Sequence, residues 1–85
     1  MSQWPDWWEW ELLLPPHLRK RMEDRGFNEV ELRQMLIDAS SYRPNVVADR
    51  WVIETRHRNR RWEVIVEPDD RRRRLVIITA YPVGT

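Results

Sequence analysis

The sequence is poor in the residues that build most reactive sites: it has no cysteine, two glycines, two histidines and one lysine. Without cysteine, disulfides and thiolate metal ligands are excluded. Gly26 and Gly84 stand alone, so no glycine-rich loop can cradle a phosphate, and no Gly-x-Ser-x-Gly elbow is present. His17 and His57 lack a second ligand at metal-binding spacing. We therefore expect chemistry that needs neither a metal nor a cofactor.

Long hydrophobic runs are also missing. No apolar stretch comes near the roughly 18 residues that cross a bilayer. The start of the chain lacks the charged-then-apolar pattern of a signal peptide. These absences predict a cytoplasmic protein with no membrane partner. The 85 residues suit a single domain, 1–85, with a small core.

Charge is distributed unevenly, although the net charge is only +1. Residues 1–44 carry six basic and eight acidic side chains, whereas residues 45–85 carry nine basic and six acidic ones. All but one of the fifteen basic residues are arginine, whose planar guanidinium binds phosphate or carboxylate at two points and stacks on bases. This bias favours an anionic partner, but a GC-rich genome would also raise the arginine content.

Residues 50–83 predict an antiparallel meander of three strands. Alternation with period two places Ile53 and Thr55 on one face and Glu54 and Arg56 on the other. The run 62–67 alternates in the same way, and the run 75–80 is apolar on both faces, as in a central or doubly covered strand. Turn-forming residues at 57–60 and 68–71 mark the hairpins, and residues 40–45 predict a loop.

Residues 16–40 predict two helices that cover one face of this sheet. Pro16 suits the start of the first helix, and Gly26 suits a left-handed C-terminal residue. Asn28 and Glu31 have the spacing of a capping box for the second helix. The predicted fold class is therefore α+β, with two N-terminal helices packed on a twisted antiparallel sheet of three to four strands.

Two further segments have two interpretations each. The leader, 1–14, holds four of the six tryptophans, and its alternation at 8–12 allows an extra N-terminal edge strand. We favour tryptophans that cap the small core over a base-stacking surface. The four arginines at 71–74 are either a solvated turn, which we favour, or a patch that follows phosphates.

The polar residues of this chain suit RNA cleavage. In such a reaction a base takes the 2′-hydroxyl proton, an acid protonates the leaving oxygen, and arginines stabilise the crowded phosphorane. The candidate catalytic residues are His17, Arg21, Arg56, Thr79 and Tyr81. The candidate substrate-binding residues are Arg25, Arg50, Glu54 and Glu63. Alternatively, Glu54, Arg56 and Glu63 form cross-strand charge pairs on a wet face, and His17 is a helix-surface residue with no task.

The helix His17-Leu-Arg-Lys-Arg21-Met-Glu-Asp-Arg25-Gly26 and the ending Ile-Ile-Thr79-Ala-Tyr81-Pro resemble a family of small bacterial proteins of unknown function. This family is grouped with the RelE-like toxins and, more widely, with the barnase, EndoU, colicin and RelE group of metal-independent ribonucleases. The resemblance covers about residues 12–83. It implies two helices on a strongly twisted antiparallel sheet, an RNA-cleaving site on the open face, and an antitoxin or immunity protein as partner. The matching positions are His17, Arg21, Arg25, Arg56 and Thr79.

The leading hypothesis is a metal-independent endoribonuclease or toxin that acts on RNA, either free or ribosome-bound. The alternative is a non-catalytic module of the same fold that binds RNA or a protein, and a third option is a structural domain of a larger assembly. The leading hypothesis requires His17 and Arg56 to lie close enough to share one phosphodiester.

Overall fold

The computed structural model describes residues 4–84, which form two helices and a five-stranded sheet. The helices are α1 (Pro16–Arg25) and α2 (Glu29–Ile37). The strands are β1 (Glu11–Leu13), β2 (Ser41–Pro44), β3 (Trp51–His57), β4 (Arg60–Asp69) and β5 (Arg74–Pro82). A short 3-10 helix, Asp6–Glu9, precedes β1. The predicted α+β class is confirmed.

The sheet has the strand order β1-β5-β4-β3-β2. Strands β2 to β5 form an antiparallel meander, and β1 adds to β5 in parallel. The predicted sheet of three to four antiparallel strands was therefore wrong in strand count and in the direction of one edge. Residues 41–44, predicted as part of a loop, are a strand. The leader strand exists but begins at Glu11, because residues 6–9 turn into the 3-10 helix.

Helix α1 ends and helix α2 begins where their capping residues predict, and α2 ends at Ile37, before the predicted limit of residue 40. Gly26 adopts φ 72° at the end of α1, a left-handed conformation that favours glycine. The Asn28 side chain accepts from the Glu31 N–H, and the Glu31 carboxylate accepts from the Asn28 N–H, which completes the capping box of α2. The connection is so short that both helices lie on the same side of the sheet.

The core lies between the helices and one face of the sheet. Its members are Leu18 and Met22 of α1, Leu32, Met35 and Leu36 of α2, and Ile53, Trp62, Val64, Val66, Leu75, Ile77 and Ala80 of the sheet, with Phe27. Thr55 is the one fully buried polar residue among residues 4–84, and its hydroxyl donates to the Met35 carbonyl. That carbonyl is in the last turn of α2, where helical partners run out, so Thr55 ties α2 to β3.

The tryptophans of the leader extend this core toward β2 and β3. The Trp7 ring is buried, and its centroid lies 5.9 Å from that of Trp51 and 6.1 Å from that of Tyr42. Trp8 and Trp10 pack against the core but remain only partly buried. The favoured interpretation, that the tryptophans cap the core, is confirmed for Trp7.

Candidate functional site

The sheet face that points away from the helices, here called the open face, carries polar side chains in rows across the strands. The rows exist because the registers of β2, β3, β4 and β5 align side chains of the same parity. One row contains Ser41, Glu54, Glu63 and Tyr81, each directly opposite the next. We call it the carboxylate row. It brings together Glu54, Glu63 and Tyr81, as the predicted alternation requires.

Arg43 holds the carboxylate row together. Glu54 and Glu63 face each other across β3 and β4, where like charges destabilise a sheet. Arg43, from the neighbouring row, places Nη1 3.7 Å from Glu54 Oε1 and Nη2 3.2 Å from Glu63 Oε2. The Ser41 hydroxyl donates to Glu54, and the Tyr81 hydroxyl donates to Glu63 Oε1 over 2.7 Å. The result is one connected polar network that spans four strands.

Tyr81 keeps its proton firmly in this network. Burial raises the pKa of the Tyr81 phenol, and the hydrogen bond to Glu63 and the charge of Glu63 raise it further, against a smaller opposing effect of Arg43. The phenol is therefore neutral at physiological pH and acts as a hydrogen-bond donor. The row thus offers a proton donor and two proton acceptors on adjacent strands.

The neighbouring row has an apolar centre. It runs Arg43, Val52, Ile65, Thr79. Val52 and Ile65 are each only 6% exposed, although both helices of residues 4–84 pack against the opposite face. An apolar floor of this kind lowers the local dielectric constant, which strengthens the charge interactions of the carboxylate row.

On the other side of the carboxylate row, Arg56 lies directly opposite Arg61. Both arginines are exposed, and no carboxylate among residues 4–84 forms an ion pair with either. They line a depression of about 250 Å³ together with three carboxylates, those of Asp38, Glu54 and Glu63. Like charges opposed across two strands are unfavourable, so this arginine pair is a place where a bound anion would relieve repulsion.

His17, Arg21 and Arg25 lie elsewhere, along the edge of β5. Strand β1 covers only residues 74–76 of β5, so α1 runs beside the remaining edge. His17 Nε2 is 3.3 Å from the Ile78 carbonyl oxygen, and Arg25 Nη1 donates to the Ala80 carbonyl oxygen over 2.9 Å. Arg25 Nη1 also lies 3.4 Å from the Thr79 hydroxyl. Arg21, one turn from each, is exposed. His17 and Arg25 thus contact backbone carbonyls of an otherwise open sheet edge, and Arg21 makes no such contact within residues 4–84.

The structure does not bring His17 and Arg56 together. His17 contacts the outer edge of β5, and Arg56 belongs to β3, two strands further across the sheet. Two strand spacings amount to roughly 10 Å. The requirement that these two residues share one phosphodiester is therefore not met, because the sheet separates the helix edge from the Arg56 row.

Arg50 and His57 also lie outside the carboxylate row. Arg50 Nε donates to Glu67 Oε1 over 3.0 Å, in a pair nearer the β4–β5 hairpin. His57 is on the helix side, with its ring against Phe27 and Trp62 and its Nε2 3.5 Å from Glu31 Oε2. Its surroundings are those of a packed core residue.

Ser41 and Arg43 of this network are not among the residues predicted for the site. Both lie in the segment predicted as a loop, yet both point to the open face, and Arg43 contacts both central carboxylates. The sequence does show a weak strand pattern here, because the polar Ser41 and Arg43 alternate with the apolar Tyr42. Three alternating residues next to Pro44 are too few to predict a strand.

The fold and site define a small α+β domain in which two helices cover one face of a mixed sheet and a polar network occupies the other. The family model described as a domain of unknown function, DUF4258, matches residues 14–82, and the chain belongs to this family. No curated protein and no solved structure matches the chain significantly.

No helix within residues 4–84 is long and apolar enough to cross a membrane. Over the same residues, no three histidine, aspartate or glutamate side chains are grouped as a metal site requires. The groups that the open face does offer are carboxylate, phenol, hydroxyl and guanidinium.

Proposed function

We propose that this protein is a RelE-like endoribonuclease that cleaves RNA on its open face without a metal ion. The observation that carries the proposal is the carboxylate row beside Arg56 and Arg61, two arginines with no carboxylate partner in the described part of the chain. Carboxylate, phenol and guanidinium are the groups that phosphodiester cleavage uses for proton transfer and charge stabilisation.

In the proposed reaction, the 2′-oxygen attacks the adjacent phosphorus while Glu54 takes the 2′-hydroxyl proton. The bond from the 2′-oxygen to phosphorus forms as the bond from phosphorus to the 5′-oxygen breaks, which leaves a 2′,3′-cyclic phosphate. Glu54 suits the role of base better than Glu63, because its side chain is 36% exposed and that of Glu63 only 16%. Glu63 is also held by both Arg43 and Tyr81.

Tyr81 is the proposed proton donor to the leaving 5′-oxygen. The phenol is protonated at neutral pH, and an alkoxide leaving group is a much stronger base than a phenolate. The proton that Glu54 accepts goes to solvent, and solvent reprotonates Tyr81 before the next turnover. Arg56 and Arg61 hold the non-bridging phosphate oxygens, where negative charge develops. Thr79, in the adjacent row, positions the ribose.

His17, Arg21 and Arg25 take no chemical step in this proposal. Two of them bind carbonyl oxygens of β5, and all three lie along the helix beside that edge. Their proposed task is to close the edge of β5 against pairing with another chain.

The family resemblance extends the proposal to the biological setting. It suggests a cytoplasmic toxin that cleaves free or ribosome-bound RNA and that an antitoxin or immunity protein restrains. An inhibitor of this kind would have to cover the open face, where the proposed phosphate site lies.

The test is an RNA digestion with purified protein in the presence of a chelator. We expect the parent to release fragments with 2′,3′-cyclic phosphate ends, and E54Q and R56A to lose about 100-fold or more of the rate. Arg19→Ala is the matched control, because Arg19 is exposed on α1, away from the open face. An inert parent, or an E54Q variant as active as the parent, would overturn the proposal.

A non-catalytic RNA- or protein-binding module is the second candidate. The observation in its favour is that both central carboxylates already have partners within the chain, Glu54 in Ser41 and Arg43, and Glu63 in Arg43 and Tyr81. A binding module predicts that the parent retains RNA intact at every protein concentration. In that case R56A weakens RNA binding, and E54Q leaves it unchanged.

A further inference from the structure

Two features of the sequence have no part in the open-face site: the tryptophan-rich leader and the arginine run 71–74. The fold brings them together. Arg73 Cζ lies 5.8 Å from the centre of the Trp10 ring, on its face. The two residues line a shallow depression of about 510 Å³ together with Trp4 and Trp8. We call this depression the Trp10 pocket. Its rim also carries Asp6 and Glu9.

The tryptophans that line the Trp10 pocket differ from Trp7. Trp7 is buried among core residues, whereas Trp4, Trp8 and Trp10 keep part of their surface exposed. Trp4 and Trp8 stack with their ring centroids 4.4 Å apart. Partly exposed aromatic rings next to a guanidinium are the surface on which unpaired bases of single-stranded nucleic acid stack.

The hairpin between β4 and β5 directs the arginines of the run differently. Arg72 is held by Asp69, whose carboxylate accepts from the Arg72 backbone N–H and guanidinium. Desolvation opposes the ionisation of Asp69, but these hydrogen bonds and the charge of Arg72 outweigh it and lower the pKa of Asp69 below 3.8. Arg71 and Arg74 are exposed and form no ion pair with any residue between 4 and 84. They remain available to phosphates.

Arg73 is presented by an uncommon backbone conformation. Its φ is 52°, in the left-handed region that glycine and asparagine adopt more readily than arginine. In this conformation its guanidinium lies over Trp10. The turn between β4 and β5 therefore has Arg73 at a position whose backbone conformation suits glycine or asparagine better, and Arg73 contacts Trp10 from there.

The Trp10 pocket lies on the helix side of the sheet, because Trp8 and Trp10 also border Leu36 and Ile37 of α2. The hairpin between β4 and β5, which carries Arg73, joins this side to the open face and its proposed cleavage site.

Along β4, the eight residue steps from Arg61 to Asp69 span about 27 Å. Two carboxylates on this path are compensated, because Glu67 pairs with Arg50 and Asp69 with Arg72, whereas Asp49 and Asp70 at the hairpin end form no ion pair within residues 4–84. A polynucleotide strand can thus follow the sheet from one arginine cluster to the other without meeting an unpaired negative charge from Glu67 or Asp69.

We infer that the Trp10 pocket binds an unpaired base of single-stranded RNA, while Arg71 and Arg74 bind the flanking phosphates. The inference deepens the proposed function and rests on it, because it assigns the substrate class: a single strand, held at one end of the sheet and cleaved at the other. Asp6 and Glu9 favour a cationic ligand instead, but Arg73 in the pocket and the exposed Arg71 and Arg74 of the same hairpin oppose one.

The test is equilibrium binding of a fluorescein-labelled oligouridylate, followed by anisotropy at several salt concentrations, with the full chain carrying E54Q to prevent cleavage. We expect W10A to weaken binding by about tenfold, because stacking on one aromatic ring is lost. W10F should bind nearly as the E54Q parent does. R73A should weaken binding, because the guanidinium beside the stacked base is lost. Arg74→Ala should lower the slope of log K against log salt by about 0.7, since one phosphate contact is lost. Arg19→Ala is the control and should change neither quantity beyond its general charge effect.

The outcomes separate this inference from the proposed function. If the E54Q protein binds the oligonucleotide and both W10A and R73A bind it equally well, the inference is wrong, whatever the cleavage assay gives. If R73A strengthens the binding of tetramethylammonium, measured by tryptophan fluorescence, and leaves RNA binding unchanged, the pocket is a cation site and the inference is wrong.

If the parent cleaves no RNA but W10A and R73A weaken RNA binding, the proposed function is wrong and the Trp10 pocket is still an RNA-binding site. Because Trp10 packs partly on the core, unfolding of W10A is checked by circular dichroism, and the exposed Arg73 gives the independent variant.

Discussion

The two faces of the sheet are built on different principles. On the helix face, Ile53, Val64 and Ile77 are fully buried, and the residues there are those that close packing requires. On the open face, Glu54 opposes Glu63 and Arg56 opposes Arg61. Cross-strand pairs of like charge are unfavourable in a sheet, and packing gives no reason for them.

The difference indicates which changes affect stability and which affect function. A small domain has a narrow margin of stability, and most of its buried apolar residues lie on the helix face. The open face departs from local rules, and such departures are expected where a surface serves a ligand. Substitutions on the helix face should therefore unfold the protein, and substitutions on the open face should leave it folded.

The largest effect is expected for Trp62→Ala. Trp62 is 6% exposed, and its ring lies edge-on to Phe27 at 5.3 Å and to His57 at 5.5 Å. Its removal leaves a cavity and should lower the free energy of unfolding by about 3–5 kcal/mol, measured by urea denaturation. Val46→Ala is the control, because Val46 is fully exposed and its loss should change stability by less than about 0.5 kcal/mol. Equal midpoints for the two variants would show that the helix face is not the stabilising one.

A smaller effect is expected for Thr55→Val, which keeps the shape of the side chain and removes the hydroxyl. The Met35 carbonyl then loses its partner at the end of α2 while it stays buried. We expect a loss of about 1–3 kcal/mol in the free energy of unfolding. Thr79→Val is the matched change on the open face, where the hydroxyl has only a long contact of 3.4 Å with Arg25. A loss at Thr79 as large as that at Thr55 would contradict the contrast between the faces.

The parts of the fold that local chemistry determines could be predicted from the sequence. Asn28 and Glu31 set the start of α2, and Gly26 sets the end of α1, because capping involves only neighbouring residues. The alternation of Glu54 and Arg56 placed both on one face for a similar reason, since the side-chain period of a strand is fixed. None of these depends on the rest of the chain.

The parts that depend on distant pairing could not be predicted. Strand β2 is only four residues long and exists through its register with β3. The contact of Arg43 with Glu63 joins two strands that are not adjacent. The register of β5 shifts at an irregularity between Ile65 and Val66, which decides where Thr79 falls. The contact of His17 with the Ile78 carbonyl also depends on distant pairing. Strand β1 pairs with only three residues of β5, so the rest of that edge is open to side chains of α1.

The alkaline limit of stability tests the polar network itself. Burial and Glu63 raise the pKa of Tyr81 in the folded state above its usual value of 10.0, whereas the unfolded chain has the usual value. The folded protein therefore holds a proton that the unfolded chain releases, so stability is complete below about pH 10 and falls as the pH rises through the folded-state pKa. Tyr81→Phe should flatten this fall in urea denaturation series, and Glu63→Gln should reduce it. A fall of equal steepness in parent and Tyr81→Phe would remove Tyr81 as its cause.

The smallest effect, and the one of opposite sign, is expected for Arg56→Glu. It replaces a repulsive pair with an attractive one opposite Arg61, so the free energy of unfolding should rise by about 0.2–1 kcal/mol at low salt. The same change should abolish RNA cleavage and weaken RNA binding, because it puts a negative charge where the phosphate is proposed to lie. Arg19→Glu, the control on α1, makes the same charge change away from the site and should leave cleavage intact.

A more stable and inactive Arg56→Glu protein would mean that the open face keeps its opposed arginines at the expense of stability, as a phosphate site requires. An Arg56→Glu protein that is more stable and as active as the parent would show that Arg56 and Arg61 do not bind the phosphate.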